Sequence, residues 1–345
     1  MSTNQGLDTS SIGGVRFAYN KENGDPYHRL GVAVDGYGDI ETMLAESGAD
    51  YQVSLSELWV HDSYGTPQLV TGNYATTRMT TVYDTATNTL SEQTDVLGIV
   101  GKGYTIEQNV EAAQFAYDCV GASSGDAIID TMGVMKNGSE FFVYVRLEPL
   151  VLDPYGVKDE LEMGLAVRTS HDGSVPLCAY PTAIRLVCSN TVTSTMRSAR
   201  RNGSLVKVRH TRNKTDYKAE AIQALGMAEH VRKAFASQAE AMMQVSATFG
   251  DVERVANALW PLASDPTKRA QTMHDERMEK LMGLWVAPTN SGGFGQTLWS
   301  AWQTIGEYLD HHRGLTADKR ALASIDPDST INDQKRRAAS VLLSL

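Results

Sequence analysis

The sequence predicts an α+β protein: a mainly antiparallel sheet region with hairpins and a helix in its N-terminal part, then a helical C-terminal region with one long helix. Three observations carry this. Lys136-Asn137-Gly138-Ser139 stands between two runs rich in β-branched and aromatic residues, and Asn-Gly tolerates the positive φ of a tight hairpin turn. Ser170-His171-Asp172-Gly173-Ser174 stands between two similar runs. From Tyr217 to Phe249 apolar or small residues recur with 4-3-4-3 spacing, the seam of a helix about 35 residues and roughly 50 Å long. Such a helix needs a partner along its length, either later helices of the chain or another subunit. The implied organisation is a flexible tail over 1–14, a β-rich region over 15–212 and a helical region over 213–345.

The elements follow in order. Val15 to Gly38, rich in Gly, Asp and aromatics, reads as irregular structure. Asp39 to Ser47 suits a short helix with Ile40, Met43 and Leu44 on one side. Tyr51–Val60, Asn73–Tyr83 and Thr94–Val100 read as strands, with a polar turn at Thr85–Thr89. After the Gly101-Lys102-Gly103 turn, Thr105 and Gln108 have capping-box spacing and Asn109 is itself a candidate N-cap for the helix that follows. Ser189 or Asn190 can cap a helix running to Arg201, and Leu205–Thr211 reads as a strand. Further helices are expected over Asp251–Trp260, Thr267–Leu284, Thr297–His312 and from Ile331 onward, with breaks at Pro261 and Pro288.

Charge is divided unevenly. The net charge is −10. Residues 1–180 hold 9 Lys and Arg against 25 Asp and Glu, and residues 181–345 hold 22 against 16. Within the second half eight cations fall between Arg197 and Lys218, against the single acid Asp216. Arg197, Arg200 and Arg201 share one face of the expected helix. Lys207 and Arg209 share one face of the expected strand, and Arg212 and Lys214 follow. A basic groove of this kind can track a phosphate backbone, because attraction is set by the local patch and screened within about 8–10 Å. The bland alternative is a soluble strand edge and a helix end paired with the acidic half.

Other chemistry is thinly represented. Cys119, Cys178 and Cys188 lack metal-knuckle spacing and read as buried thiols in a reducing compartment. Gly101-Lys102-Gly103 has neither the third glycine of a dinucleotide fingerprint nor a Walker lysine, so a structural turn is favoured. Ser170, His171 and Asp172 would be catalytic only if they converged with groups from elsewhere. His311 and His312 diverge by about 100° on a helix and do not suit one metal. No apolar run of about 18 residues is present, so no membrane span is expected. The expectation is a cytoplasmic, non-enzymatic protein without metal or cofactor.

Six pieces, in order, resemble the phage/plasmid-like protein family built on a domain of unknown function. They are His28-Arg29-Leu30-Gly31, Tyr104 with Gln108-Asn109-Val110-Glu111-Ala112, Ser170-His171-Asp172-Gly173-Ser174, Arg185-Leu186-Val187-Cys188-Ser189-Asn190-Thr191, His210-Thr211, and Glu307-Tyr308-Leu309-Asp310-His311. Tyr27 departs from the family, which more often has Trp before the His. The resemblance implies a mobile-element origin and marks Tyr104, Gln108, Asn109, Arg185, Cys188 and Asn190 as structural-motif residues. A looser architectural similarity is to single-strand annealing proteins of the Rad52 type. The leading expectation is a phage protein that binds nucleic acid, plausibly single-stranded DNA in replication or recombination, as a homo-oligomer. The second is an assembly module that oligomerises or binds a host protein through its long helix.

Overall fold

The structure is a computed structural model that describes residues 16–21, 32–35, 39–84, 89–122, 128–152, 159–184, 206–207, 217–288, 295–314 and 329–345. Eleven described strands form two sheets. The larger comprises β1 (Arg16–Asn20), β2 (Val32–Val34), β6 (Ile128–Met135), β7 (Glu140–Arg146), β8 (Leu150–Leu152), β9 (Asp159–Ser170), β10 (Cys178–Ile184) and β11 (Val206–Lys207). Its order is β11-β10-β9-β7-β6-β1-β2, with β8 also on β9. The β1–β2 pair is parallel and the other pairs are antiparallel. The smaller sheet is a meander of β3 (Val53–His61), β4 (Pro67–Asp84) and β5 (Thr89–Gly101).

Both predicted hairpins form. At the β6–β7 turn Lys136 and Asn137 adopt φ of 51° and 55° and Gly138 adopts 86°, the left-handed run that the Asn-Gly pair anticipates. At the β9–β10 turn the Ser170 amide donates to the Val175 carbonyl at 2.9 Å. Within the sheets, the region read as irregular differs from expectation. Arg16–Asn20, read as irregular, is a strand held between β2 and β6. Phe17, Ala18, Tyr19 and Asn20 are all buried, so the alternation that marks a half-exposed strand is absent. Gly133 permits the approach, since a Cβ there would stand 2.4 Å from that of Phe17.

Helices α1 (Ile40–Ser47) and α2 (Asn109–Ala122) cover one face of the large sheet. Asp39 caps α1 by accepting from the Thr42 amide at 2.7 Å. Met43, Leu44, Phe115, Ala116 and Cys119 pack there with Val143, Val145, Leu165 and Val167. Burial, helped by the nearby Asp118 charge, pushes the Cys119 thiol up to about 12, so it remains protonated and unreactive at neutral pH. The Gln108 amide, not Thr105, receives the reciprocal cap at α2: it donates to the Glu111 carboxylate at 3.0 Å. The Asn109 side chain is engaged elsewhere.

The long helix α3 spans Tyr217–Gln244, 28 residues, and ends before the expected Phe249. The Asp251 carboxylate accepts from the Thr248 amide at 2.8 Å, and this local cap starts a new helix, α4 (Phe249–Leu259). A seam continuous in sequence is therefore broken by competing turn chemistry. Helices α5 (Lys268–Val286), α6 (Leu298–Glu307) and α7 (Thr330–Leu342) complete the described set, with a π-helical turn at Tyr308–His312 after α6. Phe235, Ala239, Met242 and Met243 of α3 are buried in this second core with Trp299 and Trp302. The long helix thus finds its partner, from Phe235 onward, within its own chain. No described helix is long and apolar enough to cross a membrane.

Candidate functional site

The residues at the start of α2 form a buried polar hub that ties the two sheets together. Gln108 extends its carboxamide to β3 as a strand would: Nε2 donates to the Val53 carbonyl at 2.9 Å, and Oε1 accepts from the Val53 amide at 3.0 Å. Asn109, 1% exposed, donates from Nδ2 to the Ala49 carbonyl at 2.9 Å. Since that carbonyl can only accept, the other end of the carboxamide is Oδ1, and it lies 2.9 Å from His171 Nε2. The His171 Nε2 therefore carries the proton and donates. Its backbone amide donates to the Ser139 carbonyl at 2.7 Å. Tyr104 closes the far side by donating its hydroxyl to the Ser170 carbonyl at 2.7 Å. Burial, reinforced by the charges of Asp172 and Glu107, pushes the Tyr104 phenol up to about 12, so it stays a donor.

A second row of contacts leads from the hub to the surface. Tyr51 stands edge-on to His171, with ring centroids 6.2 Å apart, and its hydroxyl donates to the Gly138 carbonyl. Burial raises the Tyr51 phenol above its ordinary range, against the pull of the Asn109 hydrogen bond and the Arg78 charge. Arg78 lies over the Tyr51 ring at 4.6 Å from its centroid and meets Asp95 on β5 at 3.3 Å. Glycine suits position 138, because its φ is positive and a Cβ would stand 2.3 Å from an Arg78 nitrogen. On the same turn Lys136 pairs with Glu140, whose other oxygen meets Arg168 at 2.7 Å.

Above this row opens a cleft of about 1080 Å³ whose lining includes Arg16, Asp50, Arg78, Asp95, Lys136 and Asn137. Its wall mixes cations with acids, and Arg78 and Lys136 are already neutralised by carboxylates. It can offer hydrogen bonds to a ligand, but among the described residues of its lining no nucleophile has an adjacent activating base. Nor do Ser170, His171 and Asp172 form a relay. Ser170 Oγ donates to the Val175 carbonyl at 3.1 Å, His171 meets Asn109, and Asp172 accepts from the Ser174 amide at 2.8 Å. Burial opposes ionisation of Asp172, but the hydrogen bonds from Ser174 and Ser170 outweigh it and hold its pKa below the usual range. Among the described residues no group of three or more His, Cys, Asp or Glu is placed to hold a metal ion.

Of the residues singled out from the sequence, Tyr104, Gln108 and Asn109 meet in the hub. Lys207 belongs to β11, where it pairs with Cys178 at the edge of the large sheet. Arg197, Arg200, Arg201, Arg209, Arg212 and Lys214, and likewise Arg185, Cys188 and Asn190, lie outside the described residues. Sequence reasoning gave His171 and Gly138 to turn chemistry alone and passed over Tyr51 and Arg78. The usable signal was that Gln108-Asn109 and Ser170-His171-Asp172 recur among the pieces of one family resemblance.

The fold and hub define an α+β protein whose motif residues lock two sheets together. A family model described as a domain of unknown function, DUF932, matches residues 96–340, and the chain belongs to that family. Tyr104, Gln108, Asn109 and His171 all fall inside the match, whereas β3 and β4 precede it. No curated protein and no solved structure matches the chain.

Proposed function

We propose that this is a non-enzymatic bacteriophage or mobile-element protein that binds nucleic acid, specifically single-stranded DNA during replication or recombination, and that it acts as an oligomer in the host cytoplasm. One observation carries the reading: eight cations between Arg197 and Lys218 in a chain of net charge −10. Lys207, inside that segment, is on β11, the last strand in the order of the large sheet. A sheet edge whose neighbours in sequence are cations suits a strand of phosphates, whose affinity rests on counterion release. The resemblance to phage/plasmid-like proteins supports the biological setting.

Single-stranded DNA binding measured across a salt series tests this, with wild type compared with Arg200→Glu combined with Arg209→Glu. If both arginines neutralise phosphates, the slope of log K against log salt falls by about 1.4, at roughly 0.7 per contact. Absence of binding at low salt, or identical binding by the variant, refutes the reading. The alternative in which the long helix recruits a partner is less well supported, because its apolar residues from Phe235 onward are covered by the chain's own helices.

A further inference from the structure

The cleft above the hub carries charge that the fold does not consume. Three cations line it from three elements: Arg16 on β1, Arg78 on β4 and Lys136 in the β6–β7 turn. Against the two acids of the described lining, Asp50 and Asp95, they leave one positive charge in excess, in a chain of net charge −10. Asp95 is saturated. Its Oδ2 accepts from Arg78 Nε and Nη2 at 3.3 Å and from Thr80 Oγ1 at 3.2 Å, and its Oδ1 accepts from Gln93 Nε2 at 3.2 Å. Those bonds leave Arg78 Nη1, which lies beside Gly138. Glu140 takes one proton of the Lys136 ammonium and gives its other oxygen to Arg168; the Lys136 side chain is still 46% exposed. Arg16 is half-buried and has no ion pair among the described residues. Its guanidinium lies against the left-handed cap of α1 at Gly48, where a Cβ would stand 2.9 Å from Nε and Nη1. Lys136 adopts a φ of 51°, a region that strains a lysine. The turn holds an ammonium where its backbone favours Gly or Asn.

We propose that this cleft binds a phosphate monoester, with Arg16 as its main anchor and Lys136 and Arg78 Nη1 as further donors. A phosphate monoester carries nearly two negative charges at neutral pH and several terminal oxygens, so it takes donors from more than one direction. A carboxylate has one charge and fewer oxygens and leaves part of the set unused. A cation meets the excess positive charge. Asp50 narrows the class. It is exposed and has no ion pair among the described residues, so it repels the phosphate itself and accepts from a hydroxyl or amino group beside it. A sugar phosphate or mononucleotide therefore fits better than inorganic phosphate, and about 1080 Å³ leaves room for either. The bland explanation of Arg16 is the C-terminal end of α1, which favours a cation. That accounts for Arg16 alone and not for three cations with uncommitted donors on one cavity. Two sources carry this chemistry, a free phosphorylated small molecule and the phosphorylated end of a polynucleotide. The site does not rest on the basic segment between Arg197 and Lys218.

The test is equilibrium dialysis of the full chain, free of nucleic acid, against adenosine 5′-monophosphate at low salt. Saturable binding of one equivalent is expected, with inorganic phosphate competing and adenosine failing to bind. Arg16→Gln weakens binding by about 10- to 100-fold, the loss of charge-assisted hydrogen bonds, while circular dichroism shows the chain folded. Arg16→Lys keeps the charge without the planar fork and retains part of the affinity. If Arg16→Gln does not fold, Lys136→Gln gives the second reading, a loss of about 3- to 10-fold, with Glu140 still paired to Arg168. A 5′-phosphorylated oligonucleotide that competes better than its 5′-hydroxyl counterpart assigns the site to polynucleotide ends. Competition by neither assigns it to a free small molecule, and either result supports the proposal. Equal competition by both oligonucleotides overturns it, because internal phosphodiesters would then suffice. So does absence of saturable binding, adenosine binding as well as its monophosphate, or a folded Arg16→Gln with unchanged affinity. Arg200→Glu with Arg209→Glu leaves monophosphate binding unchanged, so failure of the DNA reading and failure of this one give different results.

Discussion

Asn109→Ala is the most informative perturbation of the hub. The wild-type carboxamide satisfies two buried groups at once, the Ala49 carbonyl and the His171 Nε2–H, each at 2.9 Å. Ala49 and His171 are 1% and 0% exposed, so water does not readily replace either bond. An orphaned buried polar group costs about 1–3 kcal/mol, and two cost about 4 kcal/mol at the centre of that range. Alanine at the first position of α2 recovers about 0.5 kcal/mol of helix propensity. A net loss of about 3 kcal/mol is expected. Urea unfolding gives the total, and hydrogen exchange over residues 49–56 and 170–176 locates it: both segments lose protection together, although they are distant in sequence. A cycle with His171→Ala then reports the shared bond, with a coupling of about 1 kcal/mol. A loss below about 1 kcal/mol for Asn109→Ala, or additivity within about 0.3 kcal/mol, would refute the hub as a load-carrying junction.

Two further substitutions probe the fold around it. Gly98→Ala places a Cβ 2.5 Å from the Asp172 backbone, whereas Gly101→Ala meets nothing within 4 Å; the first is expected to lose about 1–3 kcal/mol in urea unfolding and the second to be near neutral. In the helical core Lys335, 0% exposed, holds Asp310 at 2.6 Å. Lys335→Ala takes its buried cation from Asp310 and costs about 3–5 kcal/mol, while replacing both partners together, Lys335→Met with Asp310→Leu, recovers most of the loss in thermal unfolding.

The α+β class, both hairpins and nearly every described helix start were legible in the sequence. These are local matters: Asn137-Gly138 accepts positive φ, Asp39 and Thr267 cap the turns that follow them, and no distant residue need be known. It did not reveal β1, because a strand buried on both faces has no alternation to read. It overran the long helix, because an apolar seam carries no mark where Thr248 and Asp251 start a new turn. The site was legible only as names. Gln108, Asn109, Tyr104 and His171 stood out in motif pieces, but periodicity cannot say that a carboxamide at 109 meets an imidazole at 171. That pairing and the seat of Arg78 on Tyr51 were decided by the tertiary structure. Register and packing choose which of a strand's two faces meets the body, and the sequence of the strand alone is the same for either choice.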